Sequence, residues 1–229
     1  MSYQDPSSFA QHTGHEERDE REDVATSAAA PVAEATGFAA LGLAPALARA
    51  VADAGYATPT EVQARALPPA IAGRDLRVAS HTGSGKTAAF VLPALERALA
   101  ARAQRAPRRN GPRVLVLAPT RELVQQVADA AAGYGRHVPG LRIATVVGGV
   151  PYGAQLRALR GPLDLLVATP GRLMDLMGSG RAPLDTVELL VLDEADRMLD
   201  MGFIDDIHHI AAQLPAARQT LMFRATSGG

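Results

Sequence analysis

The chain has 229 residues, 47% of them hydrophobic, a formal net charge of −1 and no cysteine. This is enough apolar chain for one sizeable core plus a tail, and it excludes disulfides and thiolate metal sites. No apolar run approaches the roughly 18 residues a membrane span needs, and Met1-Ser2-Tyr3-Gln4-Asp5-Pro6 lacks the basic-then-apolar start of an export signal, so a soluble, cytoplasmic protein is expected.

Residues 1–37 hold eight acidic side chains (Asp5, Glu16, Glu17, Asp19, Glu20, Glu22, Asp23, Glu34) against Arg18 and Arg21, with almost no large apolar residues. That composition predicts a disordered acidic tail, with 29–33 as a low-complexity linker. Removing the tail's net −6 from the chain's −1 leaves +5 on residues 38–229, a mildly basic body that permits a polyanionic partner. No internal repeat of fixed period is visible.

From Phe38 onward, short β-rich apolar runs alternate with helical patterns. In chain order these are a helix over 60–72, a strand over 76–80, a helix over 86–101, a strand over 114–118 and a helix over 121–134. A strand over 143–147, a helix over 152–159, strands over 165–168 and 189–192, a helix over 204–213 and a strand over 220–223 follow. Such alternation predicts an α/β fold: a mostly parallel twisted sheet with helices on both faces, its ligands bound at the C-terminal ends of the strands. Most of the strands are apolar almost throughout, as strands buried on both sides are.

The only lysine among 23 basic residues is Lys86, inside Ser80-His81-Thr82-Gly83-Ser84-Gly85-Lys86-Thr87. Strand, glycine loop and helix stand in the order a phosphate-binding P-loop requires. Glycine lets backbone N–H groups turn toward phosphates, the helix start adds its positive dipole end, Lys86 reaches the β- and γ-phosphates, and the Thr87 hydroxyl suits Mg²⁺. ATP is therefore the expected ligand. Ser80 stands where the pattern has its first glycine, and a small residue is tolerable there.

At the end of the strand over 189–192 come Asp193-Glu194-Ala195-Asp196. Asp193 is expected to hold Mg²⁺ through its water shell, and Glu194 to orient and deprotonate the water attacking the γ-phosphate. Taken alone, the cluster also reads as acidic residues favoured by the dipole at a helix start.

With these residues the chain resembles the DEAD-box RNA helicases, whose four-letter signature is Asp193 to Asp196. Gly55-Tyr56-Ala57-Thr58-Pro59-Thr60-Glu61-Val62-Gln63 resembles the family's Q motif, with Phe38 at the family's spacing of 17 residues before Gly55. The resemblance implies a RecA-like P-loop NTPase domain over 38–229 that binds ATP and Mg²⁺. Gln63 would read adenine, Tyr56 would stack on the base, Phe38 would brace the site, and Thr58 and His81 would belong to its lining. A glutamine amide can pair with adenine N6 and N7, although Gln63 alone is also an ordinary polar helix residue.

Pro119-Thr120-Arg121-Glu122-Leu123, Gly148-Gly149 and Thr169-Pro170-Gly171-Arg172 resemble the motifs that line the family's RNA groove. Helix starts, glycine N–H groups, threonine hydroxyls and Arg172 all suit phosphate, so RNA binding through the backbone, independent of sequence, is the implied partnership. Each motif singly is also a common turn or cap. Arg102, Arg105, Arg108 and Arg109 read as a solvated loop, and His208 with His209 as surface residues facing different ways.

The family's second RecA-like domain, which carries arginine fingers, has no counterpart in these residues. Where the family has Ser-Ala-Thr to couple hydrolysis to strand separation through Asp196, this chain has Arg224-Ala225-Thr226. Arg224 cannot mimic a short hydroxyl but can ion-pair with Asp196. A catalytically silent ATP- and RNA-binding module or a truncated fragment is the alternative to a helicase half. A P-loop ATPase acting on DNA is a third reading, opposed by the arrangement of Phe38 and Gln63.

Overall fold

A computed structural model of the chain describes residues 37–226. The tail expected over 1–37 lies outside the described residues except for Gly37, as do Ser227, Gly228 and Gly229. The described elements are a 3-10 turn Ala39–Leu41, then α1 (Pro45–Asp53), α2 (Glu61–Ile71), β1 (Leu76–Ser80), α3 (Lys86–Ala103), β2 (Gly111–Leu117) and α4 (Arg121–Tyr134). They continue with β3 (Ile143–Val146), α5 (Tyr152–Ala158), β4 (Pro162–Ala168), α6 (Pro170–Gly178), β5 (Leu189–Leu192), α7 (Ala195–Asp200), α8 (Ile204–Ala212) and β6 (Gln219–Ala225).

The strands form one six-stranded sheet in the order β1-β6-β5-β2-β4-β3. Every pairing is parallel, so the sheet is wholly rather than mostly parallel. Because successive side chains point to opposite faces, β2 splits its apolar run between two cores. Val114 and Val116 pack with α3 residues such as Phe90 and Leu92, while Leu115 and Leu117 pack with Leu173, Leu176 and Met198 on the other side. The double burial expected of the central strands is thus met by helices on both faces.

β1 departs from that expectation: Arg77 and Ala79 are exposed because this strand pairs only with β6 and forms an edge. Its inner neighbour is held by Phe223, whose ring meets Phe90 edge-on at 5.2 Å between centroids, a geometry that adds about 1 kcal/mol beyond burial.

The basic run near 102–109 is also less loop-like than its composition suggests. α3 continues through Ala103, and Arg102 on its last turn donates to both Asp164 oxygens (2.9 and 2.8 Å) and to the carbonyls of Pro139 and Gly140. Asp164 is 7% exposed, so this bidentate pair fastens α3 to the start of β4. Arg109 pairs with Asp185 at the exposed surface, whereas His208 and His209 are exposed, as expected.

Since all six strands are parallel, their C-terminal ends lie along one edge of the sheet. Read across it, the segments come in the order 81–85 after β1, 226 at the end of β6, 193–196 after β5, 118–120 after β2, 169 after β4 and 147–149 after β3. With strands about 4.8 Å apart, the row is roughly 24 Å long.

Candidate nucleotide and nucleic-acid site

At the β1 end, the glycine loop is built by backbone that a side chain would strain. Gly83 and Gly85 adopt φ +79° and +84°, and a Cβ on Gly85 would lie 2.5 Å from the Gln63 amide nitrogen. Gln63, only 4% exposed, is committed on both sides of its amide. Its Oε1 accepts the Thr60 N–H at 3.0 Å, closing a capping box at the start of α2, and its Nε2 donates to the Gly85 carbonyl at 3.1 Å. The residue expected to read adenine therefore also holds the glycine loop, with one amide hydrogen and one oxygen lone pair left over. Thr60, not singled out from sequence, is the second member of that brace; the Thr-x-x-Gln spacing carried the signal.

Lys86 sits at the first turn of α3, and its Nζ lies 3.8 Å from Glu194 Oε1. The loop after β1 and the acids after β5 thus meet across the intervening β6. Glu194 is also 3.3 Å from Arg197 and adopts φ +51°, a left-handed conformation uncommon outside glycine. That turn separates two adjacent carboxylates: Asp193 is 2% exposed, whereas Glu194 is partly open. Burial pushes the Asp193 carboxyl up to about 6, against the pull of Lys86 and with a further upward push from Glu194.

Three buried oxygens at this end have no hydrogen-bond partner: Ser80 Oγ, Ser84 Oγ and Asp193 Oδ1. Buried polar atoms are ordinarily satisfied, so a trio beside a lone lysine fits a polar ligand with its cation. The set suits Mg²⁺, which takes one or two carboxylates plus phosphate oxygens and keeps several waters. Thr87, partly buried on the first turn of α3, adds a hydroxyl to that set. Among the described residues, no group of three or more His, Cys, Asp or Glu forms an all-protein metal cage.

Beside the loop runs an open cleft of about 530 Å³, walled by α2 and β1 and reaching Ser80, His81, Gly83, Ser84 and Thr226 but not Lys86 or Asp193. His81, Thr82 and Thr58 are exposed. Phe38 is buried in the core, and Gly37 before it lies so close to the Ala57 carbonyl that a Cβ would stand 2.9 Å away. Tyr56 is exposed, and its hydroxyl neighbours Tyr134, whose phenol is pushed up mainly by burial.

Next along the edge, Asp196 differs from expectation. No ion pair joins it to Arg224, which points into solvent; its Oδ1 instead accepts the backbone N–H of Ala225 at 3.2 Å. A backbone donor is indifferent to the side chain at 224, so the link between the acidic cluster and β6 persists with arginine there. Thr226 follows, its N–H donating to the Ser80 carbonyl at 3.2 Å.

The far half of the edge is formed by the ends of β2, β4 and β3. Pro119 is buried, and Thr120 caps α4 by accepting the Leu123 N–H at 3.3 Å. Arg121 is exposed and leans across to the glycine pair: a Cβ on Gly149, whose φ is +78°, would lie 2.7 Å from Arg121 Nη1. Thr169 and Pro170 open α6, with Gly171 and Arg172 in its first turn. Arg172 is tied down, its Nε donating to Gln155 Oε1 at 3.0 Å and its Nη2 to the Val150 carbonyl at 2.9 Å. Its guanidinium carbon stands 4.4 Å from the centre of the Tyr152 ring. The residues expected to face nucleic acid are thereby gathered on adjacent strand ends, apart from the nucleotide set. Gln155 and Tyr152 were not visible as members from sequence, since each looks like an ordinary helix residue.

The wholly parallel sheet, with the glycine loop and the acidic run on one edge, is that of a RecA-like α/β domain. The DEAD/DEAH box helicase family profile matches residues 60–228, and the chain belongs to that family. It is 46% identical over 191 residues to the ATP-dependent RNA helicase DeaD of Escherichia coli (strain K12), covering 83% of this chain and 29% of that protein. It is 46% identical to the ATP-dependent RNA helicase SrmB of the same strain, over 85% of this chain and 43% of the relative. A solved structure described as a hypothetical ATP-dependent RNA helicase from Sulfolobus tokodaii superposes with a TM-score of 0.69 at 41% identity, over 79% of this chain and 50% of that one. The chain therefore spans about a third of the length of the curated relatives it matches. No helix among the described residues is long and apolar enough to cross a membrane.

Proposed function

We propose that this chain is the ATP-binding half of an ATP-dependent RNA helicase, in which phosphoryl transfer to water is coupled to local strand separation. The observation that carries the reading is the meeting of Lys86 and Glu194 at 3.8 Å beside three unpartnered buried oxygens. Lys86 grips the β- and γ-phosphates, the N–H groups of 83–87 cradle them, and Glu194 accepts the proton of the attacking water. Mg²⁺ would be held by Thr87 and, through water, by Asp193, and would neutralise phosphate charge. Gln63 offers its spare donor and acceptor to adenine. Thr120, Arg121, Gly148, Gly149, Thr169 and Arg172 take the RNA backbone through charge and N–H groups that carry no base code.

A second RecA-like domain, supplying arginine fingers and the other wall of the RNA groove, completes the motor. Such a finger is worth about 10³ to 10⁵ in rate, so the 229-residue chain alone turns over slowly. Replacing Lys86 by alanine should weaken ATP binding by roughly a hundredfold, the loss expected for removing one partner of a partly buried charge contact. Unchanged affinity in a nucleotide titration would contradict the assignment. Arg224 supports a second reading, a nucleotide- and RNA-binding module without coupling. On the motor reading Arg224→Ser leaves RNA-stimulated hydrolysis by the full-length protein within about twofold, because Asp196 is held by backbone; a large gain of coupling would favour the silent module.

A further inference from the structure

We infer that Gln155 is a positioning residue that aims the Gly148 N–H into the groove proposed to hold the RNA backbone, with Arg172 and Tyr152 as its braces. This rests on the RNA reading given above. Gln155 is 3% exposed on α5, one helical turn from Tyr152 and so on the same side. Its Nε2 donates to the Val147 carbonyl at 2.5 Å, and its Oε1 accepts from Arg172 Nε at 3.0 Å.

The carbonyl it holds belongs to the peptide that joins Val147 to Gly148. In a trans peptide the C=O and N–H point in opposite directions. Drawing the Val147 carbonyl inward therefore turns the Gly148 N–H outward, and Gly148 is exposed. Arg172 does the same at the other end of the turn by binding the Val150 carbonyl at 2.9 Å, where Pro151 follows and offers no N–H. The glycine pair is thus stapled at both flanks, with the Gly148 N–H turned outward and the Arg121 guanidinium close to Gly149.

An amide suits this position on chemical grounds. It donates with one end and accepts with the other while carrying no charge. A carboxylate would keep the bond to Arg172 but would face the Val147 carbonyl with a lone pair. An aliphatic side chain would leave both Arg172 Nε and the carbonyl unpaired at a buried point. Tyr152 completes the brace. Its ring lies 4.4 Å from the Arg172 guanidinium carbon, and its hydroxyl donates to the Asp175 carbonyl on α6 at 3.0 Å. Arg172 thereby has one face and two donors fixed, and its Nη1, without a protein partner among the described residues, is the group left for a phosphate.

The test is single-stranded RNA titrated into the ¹⁵N-labelled chain, read at the Gly148 and Arg121 amides, with affinity for a non-hydrolysable ATP analogue measured in parallel. In the wild type RNA should shift both amides. In Gln155→Ala the Gly148 response should be lost and RNA affinity should fall by roughly tenfold, the equivalent of about 1.4 kcal/mol, while the Arg121 response and analogue affinity stay. The double variant with Arg172→Ala should lose less RNA affinity than the two single losses combined, since the two residues share a hydrogen bond and hold one turn. Should Gln155→Ala lose analogue affinity through general unfolding, Gln155→Glu, which keeps volume and the acceptor for Arg172, must show the same selective loss at Gly148. A Gly148 response that survives in both variants, or losses that simply add, overturns the inference while leaving RNA binding intact. Absence of any RNA-induced shift in the wild type instead overturns the RNA reading itself.

Discussion

The two halves of the sheet edge solve opposite problems. The nucleotide half leaves buried polar atoms without partners, Ser80 Oγ, Ser84 Oγ and Asp193 Oδ1, and keeps a carboxyl whose pKa is raised to about 6. The other half leaves little unsatisfied: Gln155 and Arg172 spend their hydrogen bonds on the carbonyls flanking Gly148 and Gly149. One half stores desolvation cost that a charged ligand and its cation relieve. The other has its turn carbonyls already bound and leaves the Gly148 N–H facing outward. Ligand binding should accordingly stabilise the first half far more than the second.

The largest expected effect is at Asp193. Its pKa is raised in the folded state from 3.8 to about 6, so the contribution favouring the fold is complete below 3.8 and is lost as pH rises through about 6. At pH 7 the ionised group therefore costs roughly 2 to 3 kcal/mol. Asp193→Asn should raise the melting temperature of the nucleotide-free chain at pH 7 by roughly 5 °C, with little gain at pH 4, while Mg²⁺-dependent ATP binding weakens. A destabilised apo protein at pH 7 would contradict the stored-cost account of this half.

Next in size is Gln63→Ala. Because this amide holds Thr60 and Gly85 as well as offering itself to adenine, the preference for ATP over GTP should relax and affinity for both should fall, ATP by roughly tenfold. Loss of preference with GTP affinity intact would mean that the glycine loop does not depend on the brace. Smallest is Gly149→Ala on the far half: φ of +78° is strained for alanine, by about 1 to 2 kcal/mol. RNA affinity should drop a few-fold with ATP affinity unchanged, and a parallel loss of ATP binding would erase the distinction between the halves.

Periodicity exposed most of the sheet. Strands β1 and β5 begin and end where their apolar runs do, and α4 spans its predicted 121–134, because Thr120 and Tyr134 bracket an unbroken helical pattern. Strands β2 and β4 start three residues earlier than expected, since Gly111, Pro112, Pro162 and Leu163 pair with one another although their composition reads as loop. Edge and centre were not distinguishable either: β1 is an edge whose one partner is β6, from the far end of the chain. At the site, glycines, Lys86 and the acidic run announced themselves by chemistry and spacing. Gln155 did not, because its meaning comes from Val147, in the loop after β3, and Arg172, on α6, brought to it by folding. Arg102 misled for the same reason, its partner Asp164 lying 62 positions away.

The separateness of the two halves is tested most directly by mapping backbone amide shifts of the ¹⁵N-labelled chain with Mg²⁺ and an ATP analogue, and separately with single-stranded RNA. The nucleotide should move amides of 60–63, 82–87 and 193–194, while RNA should move those of 120–121, 148–149 and 171–172. Both ligands perturbing one common set, or the nucleotide leaving 82–87 unmoved, would contradict this assignment.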